Sequence, residues 1–199
     1  MQFRAFESGI EVNGQTVWAI VDGFSSKQTP SRILVEEGIG VLGPDGVVQL
    51  DPAGWYSQEA WLRAFEKISQ VLGPQALFSI GQRIPQNAIF PKWVEGIDSG
   101  IRSIDVAYHL NHRKGGVVMF DERASEPMLH GIGHYGYERP HPQKKLIVCE
   151  CRNPYPCDFD RGIVMAVARR FEPAATLVHL DEHTCRNRGS DACTYHVNW

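Results

Sequence analysis

The sequence lacks the features of several protein classes. No stretch approaches the roughly 20 apolar residues of a membrane-spanning helix, and residues 1–8 show no charged segment followed by an apolar one. No run of Lys or Arg exceeds Lys144-Lys145, and a formal net charge of -3 gives no electrostatic basis for binding nucleic acid. We therefore expect a cytoplasmic protein that contacts neither membrane nor nucleic acid directly.

Motifs for nucleotide binding and serine hydrolysis are also missing. The sequence contains no Gly-x-Gly-x-x-Gly, no phosphate loop and no Gly-x-Ser-x-Gly. It has five cysteines, an odd number, and in a reducing compartment clustered cysteines indicate metal binding or catalysis before a disulfide framework. No catalytic residue is predicted, and an enzymatic role has little support.

What is present predicts one folded domain with an N-terminal extension. The 199 residues are 43% hydrophobic, enough to bury a substantial core. Asn13-Gly14 is flanked by two β-prone stretches, which predicts a β-hairpin within an N-terminal hairpin and connecting region, residues 1–53. The remainder, residues 54–199, is predicted to form the main domain.

The order of elements in the main domain predicts an α+β fold. Apolar residues recur at helical spacing over residues 57–72, from 75 to about 88 with an interruption at Pro85, and over 94–112. Strands follow, then a helix over 158–171 and two closing strands. We expect helices packed on an antiparallel sheet, with the β-hairpin as an extension.

The last forty residues carry a candidate metal site. Cys185 and Cys193 bracket a turn-rich segment that lets the chain double back, Glu182 lies three residues before Cys185, and Cys157 opens a predicted helix. Three thiolates and a carboxylate are enough for a tetrahedral zinc site. His179 and His183 are competing ligands, and the alternative is that the cysteines are small buried apolar residues.

These motifs resemble a known family, the 4-vinyl reductase (V4R) domain. This domain is related to the aromatic-sensing domain of phenol- and xylene-responsive activators, and more broadly to haem NO-binding and TRAPP-like domains. The resemblance covers about residues 54–199. The segments that carry it are Pro156-Cys157, Arg161-Gly162, Glu182-x-x-Cys185, Arg188-Gly189 and Cys193 with its closing aromatic strand.

The resemblance implies a sensor held together by a structural zinc ion. The implied metal ligands are Cys157, Glu182, Cys185 and Cys193, and the implied partner is a small apolar or aromatic molecule. No ATPase module or helix-turn-helix follows in the sequence, so we expect output through a homodimer or a separate signalling protein. The candidate ligand-binding residues are the aromatic side chains of the helical half and one histidine: Trp61, Phe65, Phe78, Trp93, Tyr108 and His109.

Four questions remain open at this level. Cys149 and Cys151 share a strand face and are core residues, a redox pair or a second metal site with His130 or His134. Haem ligation by His109 is possible by analogy with the haem NO-binding relatives, whose propionate-binding motif is similar to Tyr135-x-x-x-Arg139 without its central serine. Two other functions are a reductase or accessory protein for a tetrapyrrole-like substrate, and an assembly module like the TRAPP-like proteins.

Overall fold

The computed structural model of the chain describes residues 2–24, 26–121, 123, 126–127, 131–180 and 185–199. Helices make up most of the first half and strands most of the second. The helices are α1 (Gly14–Asp22), α2 (Gln28–Glu36), α3 (Gln58–Leu72), α4 (Pro74–Asn87), α5 (Ile97–Leu110) and α6 (Cys157–Phe171). The strands are β1 (Ile10–Asn13), β2 (Val41–Leu42), β3 (Val48–Gln49), β4 (Trp55–Ser57), β5 (His112–Lys114), β6 (Val117–Val118), β7 (Phe120–Asp121), β8 (Glu126–Pro127), β9 (His134–Tyr135), β10 (Leu146–Arg152), β11 (Thr176–His179) and β12 (Cys193–Asn198).

Two antiparallel four-stranded sheets organise these elements. The first has the order β4-β1-β5-β6 and the second the order β11-β12-β10-β9, while β2-β3 and β7-β8 form two small ribbons. Strand β12 alternates buried and half-buried residues, as expected of a strand with one face on the core. Helix α6 packs on β11 and β12, and α5 packs on α6 and β9. The predicted α+β class, with helices on an antiparallel sheet, is confirmed.

The predicted N-terminal hairpin is wrong. Residue Asn13 is instead the N-cap of α1, and its side-chain oxygen accepts a hydrogen bond from the Gln15 N–H at 2.9 Å. Val17, Ile20 and Val21 then fall on one buried helical face. Strand β1 pairs with β4 and β5 rather than with the residues that follow it, so the N-terminal segment shares a sheet with later parts of the chain.

The helices predicted over residues 57–112 are confirmed, with small shifts of their ends. Ser57 caps α3 by accepting a hydrogen bond from the Ala60 N–H, and Gly73 ends the helix. Pro85 lies inside α4, which ends two residues later because proline offers no N–H for a helical hydrogen bond. The helix predicted over residues 158–171 is confirmed as α6, and the two closing strands are confirmed as β11 and β12.

Helices α4 and α6 approach each other unusually closely. A Cβ atom built on Gly81 would lie 2.1 Å from the Phe159 carbonyl oxygen, and one on Gly162 would lie 2.2 Å from the Phe78 carbonyl oxygen. Only glycine leaves room for this contact, and it fixes α6 against the helical half of the molecule. Gly100 on α5 likewise leaves room for the ring of Phe171 on α6, because a Cβ atom on Gly100 would lie 2.5 Å from that ring.

One continuous apolar core joins the two halves. Its largest fully buried side chains include Trp61 and Phe65 on α3 and Tyr195 on β12. Their rings dominate the buried apolar area and therefore much of the stabilisation by the hydrophobic effect. Within the described ranges, no helix has the length and apolar character needed to cross a membrane.

Candidate metal centre and ligand position

The structure brings three cysteines together at one corner of the second sheet. Cys157 begins α6, Cys185 precedes a 3-10 turn (Arg186–Arg188), and Cys193 begins β12. The Sγ atom of Cys185 lies 3.8 Å from the Sγ atoms of both Cys157 and Cys193, and all three sulfur atoms lie within 4.8 Å of one another. We call Cys157, Cys185 and Cys193 the thiol cluster.

Local hydrogen bonds explain why the chain returns to the same point. The Cys185 carbonyl oxygen accepts hydrogen bonds from the Arg188 N–H at 2.8 Å and the Ser190 N–H at 3.1 Å. Gly189 follows with a φ of 95°, a left-handed conformation that glycine adopts without strain. The turn predicted from composition therefore reverses the chain and places Cys193 beside Cys185.

The spacing of the sulfur atoms suits a tetrahedral metal ion. With metal–sulfur bonds of 2.3 Å, two ligands of a tetrahedral zinc site lie about 3.8 Å apart. Glu182, the predicted fourth ligand, lies outside the described residues, as do His183 and His130. The three described thiols supply a trigonal face, and the fourth position stays a prediction.

The thiol cluster has one member that ionises first. A hydrogen bond from the Cys157 thiol holds the pKa of Cys193 well below its usual range against the opposing effect of burial, with further help from His179 and Arg186. The same hydrogen bond, together with burial, raises the pKa of Cys157. Metal binding would remove this difference, because zinc takes all its cysteine ligands as thiolates.

Arg186 is buried directly behind the thiol cluster. Its side chain is 0% exposed, and its Nε–H donates to the Cys193 Sγ at 3.4 Å. Its Nη1 donates to the Asn153 carbonyl oxygen at 2.6 Å, the Asn153 Oδ1 at 2.5 Å and the Tyr155 carbonyl oxygen at 2.7 Å. Burial is the largest single effect and opposes the charge of Arg186, but the Asp160 carboxylate and the nearby Tyr195, Cys193 and Cys151 side chains together outweigh burial and raise the pKa of Arg186.

Asp160 on α6 is the counter-charge of Arg186. Its carboxylate is fully buried and accepts hydrogen bonds from Arg186 Nη2, from the Tyr135 hydroxyl at 2.5 Å and from Asn153 Nδ2 at 2.9 Å. Three donors around one buried carboxylate compensate for much of its lost hydration. This group links α6, β9 and the loop that follows β10.

His109, at the end of α5, has one ring nitrogen engaged and one open. The residue is 0% exposed, and its Nδ1 lies 2.8 Å from the Asp105 carbonyl oxygen and 3.5 Å from the Asp105 Oδ1. A carbonyl oxygen only accepts, so Nδ1 carries a proton, and in the neutral form of the ring Nε2 carries the lone pair. That Nε2 atom has no hydrogen-bond partner in the part of the chain that the structure describes.

The neighbouring His112 differs in this respect. Its Nδ1 donates to the Tyr108 carbonyl oxygen at 2.6 Å, and its Nε2 accepts from the Tyr155 hydroxyl at 2.8 Å. Burial lowers the pKa of His112 to about 4. His112 is therefore a neutral structural histidine, and His109 is the one with a free lone pair.

The Tyr135-x-x-x-Arg139 segment binds carboxylates of the protein itself. The Tyr135 hydroxyl binds Asp160, whereas the Tyr137 hydroxyl and Arg139 Nη1 both bind the carboxylate of Asp98, each at 2.5 Å. Asp98 lies in the first turn of α5. The segment thus binds carboxylates, and its donors already have Asp160 and Asp98 as partners.

The predicted ligand-binding residues occupy different environments. Trp61 and Phe65 contact each other at 4.7 Å between ring centroids, and Tyr155 connects them to Tyr108 and so to His109. These residues form one buried aromatic cluster. The two others lie outside its ring contacts: Phe78 is half-buried under Arg161, and Trp93 is 49% exposed in the loop before α5.

Buried polar atoms border the aromatic cluster. Both polar atoms of the Gln58 side chain and the Trp61 Nε1 are buried without a hydrogen-bond partner among the described residues. Burial raises the pKa of Tyr155, and the nearby Gln58 and Trp61 side chains oppose that rise without hydrogen bonds of good geometry. Such atoms mark a place for a bound water or a polar ligand group.

Cys149 and Cys151 face the core from β10. Burial raises the pKa of Cys149 to about 12 and the pKa of Cys151 well above its usual value. Cys151 lies opposite Cys193 in the register of β10 and β12. Among the described residues, neither joins a group of three metal-ligating atoms, and His134 does not either.

Two surface clefts lie away from His109. One of about 380 Å³ lies on the first half of the chain and does not include His109. The other, of about 300 Å³, lies beside the thiol cluster and is polar; its lining residues are Gln2, Phe3, Arg4, Glu66, Arg186, Asn187 and Gly189. Neither cleft is lined by the aromatic cluster.

Sequence reasoning missed the residues that connect these groups. Arg186 follows a cysteine in a turn with a second arginine and reads as a surface residue, and nothing in the sequence shows that Asp160 and Asn153 converge on it. Asp105 alone carried a usable signal, since it lies four residues before His109 on the same helix. Pairing between distant charges depends on the tertiary fold.

Comparison with known proteins gives a fold and leaves the family open. No family model matches the chain, and no curated protein matches it. Solved structures do match. An H-NOX protein from S. oneidensis in the Fe(II)NO ligation state has a TM-score of 0.60 at 14% identity, over 94% of this chain and 98% of that one.

Two further structures agree. The H-NOX domain from Shewanella oneidensis in the Fe(II)CO ligation state gives a TM-score of 0.56 at 14% identity, over 94% of this chain and 97% of that one. A structure from a study of haem distortion in the H-NOX family gives 0.59 at 12% identity, over 94% of both chains. This chain therefore has the fold seen in these H-NOX structures.

Proposed function

We propose that this chain is a small-molecule sensor domain that binds haem through His109 and is held together by a structural zinc ion at the thiol cluster. The observation that carries the proposal is the buried Nε2 of His109, which has no hydrogen-bond partner among the described residues. The structural likeness to H-NOX proteins supports it, since two of those structures are Fe(II)NO and Fe(II)CO ligation states and the third comes from a study of haem distortion. The sequence alone favoured a zinc-stabilised domain that binds an apolar ligand. With the structure, haem becomes the leading candidate for the ligand.

The state of His109 is that of a histidine prepared to bind a metal. Metal-ligating histidines almost always donate their second ring N–H to a carbonyl or carboxylate, which fixes both the tautomer and the ring orientation. Asp105 provides this contact through its carbonyl oxygen and its carboxylate. A buried lone pair without a partner costs free energy, and a bond to iron would remove that cost.

The carboxylate-binding segment fits the propionate groups of haem under one condition. Tyr137 and Arg139 already recognise a carboxylate in a bidentate arrangement, the chemistry that a propionate needs. Asp98 holds that position at present. Tyr137 and Arg139 therefore fit a haem propionate, and binding requires that this propionate replace the Asp98 carboxylate.

Each group has a distinct task in this proposal. Bound haem would supply an iron atom with a position for a diatomic gas. His109 would hold the iron, Asp105 would keep the His109 ring in place, and Arg139 with Tyr137 would bind a propionate. The surrounding aromatic cluster, which includes Tyr108, would exclude water from the site.

The thiol cluster is proposed to be a structural zinc site. Three thiols at tetrahedral spacing join the start of α6, the 3-10 turn and the start of β12, and Glu182 is the fourth ligand that the resemblance implies. A site closed by four protein ligands leaves no position for substrate. Its task is to hold this corner of the second sheet together.

A haem titration of the purified full-length chain tests the proposal. We expect one haem per chain with a Soret band, and loss of that band in His109→Ala. His141→Ala is the matched control, because His141 is exposed on a loop and should leave the spectrum unchanged. No complex with the wild-type chain, or equal binding by His109→Ala, would remove haem from the account.

A second candidate is binding of an aromatic molecule with one polar group, without haem. The unpartnered Gln58 and Trp61 polar atoms beside the aromatic cluster favour it. If this candidate is right, phenol should raise the melting temperature of the haem-free protein, and the Gln58→Leu variant should show no such rise. This change has the volume of the native side chain but cannot form hydrogen bonds.

A further inference from the structure

We infer that Arg186, Asp160 and Tyr135 are positioning residues that connect the thiol cluster to His109. Through them, metal binding at the thiol cluster would hold the His109 ring in a fixed position. The inference rests on the proposed function, which supplies the two ends. What it adds is a defined physical connection between them and a direction of control.

The first step runs from the thiol cluster to Arg186. The Nε–H and the backbone N–H of Arg186 both donate to the Cys193 Sγ, each at 3.4 Å. Hydrogen bonds of this kind to a metal-ligating atom orient the ligand and tune its binding. A metal ion that draws Cys193 into a fixed position therefore fixes the guanidinium group as well.

The second step crosses to β9 through a buried ion pair. The planar guanidinium of Arg186 binds the Asp160 carboxylate, whose other oxygen accepts the Tyr135 hydroxyl at 2.5 Å. Both charged side chains are 0% exposed, so water is not at hand to replace a broken contact. Moving Arg186 without moving Asp160 would leave an uncompensated buried charge.

The third step reaches the ligand position. The Tyr135 N–H donates to the Asp105 Oδ1 at 2.7 Å, and the Asp105 carboxylate and carbonyl oxygens hold the Nδ1 of His109. Burial raises the pKa of Asp105, and the hydrogen bond from Tyr135 opposes that rise. Tyr135 thus contacts Asp160 with its hydroxyl and Asp105 with its backbone.

The chain of contacts is continuous, and its members are buried except for Asp105, whose side chain is 16% exposed; a change at one end can therefore displace the other. Cooperative hydrogen bonds in a low-dielectric interior strengthen one another, and a displaced member leaves its neighbours unsatisfied. Coupling between two sites typically changes affinity by about 5- to 150-fold, and it acts equally in both directions. Zinc at the thiol cluster should therefore tighten binding at His109, and binding at His109 should tighten zinc.

The test uses the full-length chain labelled with ¹⁵N-histidine, in reducing buffer, before and after one equivalent of zinc. Comparison with His109→Gln identifies the His109 signals. We expect zinc to shift the Nδ1 and Nε2 signals of His109 and to slow hydrogen exchange of its Nδ1–H. The Nδ1–H of His112, which donates to Tyr108 and lies off the chain of contacts, should change little.

Tyr135→Phe isolates the connection. It removes the hydroxyl that binds Asp160 and keeps the ring, so we expect zinc to bind with unchanged stoichiometry while the His109 response is lost. Tyr137→Phe is the matched control, because its hydroxyl binds Asp98 instead, and it should keep the response. A Tyr135→Phe chain that responds like the wild type would overturn the inference.

The remaining outcomes separate the inference from the proposed function. If zinc binds the wild-type chain and His109 does not respond, the inference fails and the metal site stands. If no zinc binds, the metal site fails and the inference fails with it. Should Tyr135→Phe not fold, the wild-type comparison of His109 with His112 decides alone, and an equal response of both histidines counts against the inference.

Discussion

At the scale of single residues, two adjacent histidines show how hydrogen bonding separates structure from function. His112 has both ring nitrogens engaged, and His109 has only one. The difference arises because the Tyr155 hydroxyl reaches His112, whereas the Nε2 of His109 meets no described donor. The sequence alone shows two histidines three residues apart and does not indicate which of them has a ring nitrogen open to a ligand.

Acid should destabilise the protein through His112. Its pKa is about 4 in the folded chain against an ordinary value of 6.5, so the unfolded chain binds more protons between these values. Stability is fully present above pH 6.5 and falls as the pH drops toward 4, by about 3 kcal/mol in all. Urea denaturation at pH 7, 5.5 and 4.5 measures this loss.

His112→Gln provides the comparison for this prediction. Glutamine is neutral at every pH used, so the variant should be less stable at pH 7 but should lose less stability between pH 7 and 4.5. His141→Gln, at an exposed position, should behave like the wild type. Equal pH slopes for His112→Gln and the wild type would show that the proton uptake belongs to another group.

At the scale of elements, the contact between α4 and α6 depends on two glycines. Gly81→Ala and Gly162→Ala would each place a methyl group about 2 Å from a backbone oxygen, so the helices must separate. Alanine is intrinsically better in a helix by about 1 kcal/mol, but overpacking costs typically 1–3 kcal/mol or more. We expect a net loss measured by chemical denaturation.

A third glycine is the control for this contact. A Cβ atom on Gly96 would have no neighbour within 4 Å, and its φ of -158° is open to any residue. Gly96→Ala should therefore change stability little. If Gly81→Ala and Gly162→Ala were as stable as Gly96→Ala, the close approach of the two helices would be wrong.

The thiol cluster joins three elements, and its metal should stabilise all of them. We expect about one zinc per chain by metal analysis, and a lower melting temperature after a chelator removes it. At free zinc a thousand times the dissociation constant, the metal adds about 4 kcal/mol to the free energy of unfolding. Cys185→Ala and Cys193→Ala should lose both the zinc and the chelator effect.

Cys149→Ala is the matched control for the zinc prediction. Cys149 is as buried as the cluster cysteines but lies away from them on β10, so this variant should keep one zinc. Loss of zinc in Cys149→Ala would mean that the ligand set differs from the one proposed. Absence of zinc from the wild-type chain in reducing buffer would refute the metal site.

At the scale of the whole molecule, the sequence was sufficient for the helices from Ser57 onward and for the turn between Cys185 and Cys193. Helical periodicity from Ser57 onward, the glycine turn at Gly189 and the spacing of Cys185 and Cys193 are local signals, and the structure agrees with each. Local signals survive folding when the tertiary environment favours the same conformation. The convergence of Cys157 with the other two followed from the family pattern.

Two cases show where local sequence signals mislead or are absent. Asn13-Gly14 is a strong hairpin signal, yet Asn13 caps a helix because β1 finds its partners in β4 and β5. The connection from Arg186 to Tyr135 had no sequence signal at all, because a buried ion pair is defined by elements that are far apart in sequence. Tertiary pairing decided both cases.

The proposed ligand position and the thiol cluster lie on different elements of the molecule. Helix α5 presents His109 to the interior, and the second sheet holds the thiol cluster at its β12 end. The likeness to H-NOX structures at 12–14% identity concerns this architecture. The ligand assignment depends on His109 itself.

Imidazole rescue of His109→Gly is the most direct test of that assignment. Glycine removes the ring and leaves a space that free imidazole can enter, so the absorbance spectrum of the haem titration reports the bond itself. The account predicts a Soret band for the wild-type chain, its loss in His109→Gly and its return on adding imidazole. A His109→Gly chain that gives the wild-type spectrum and affinity without imidazole would contradict the account.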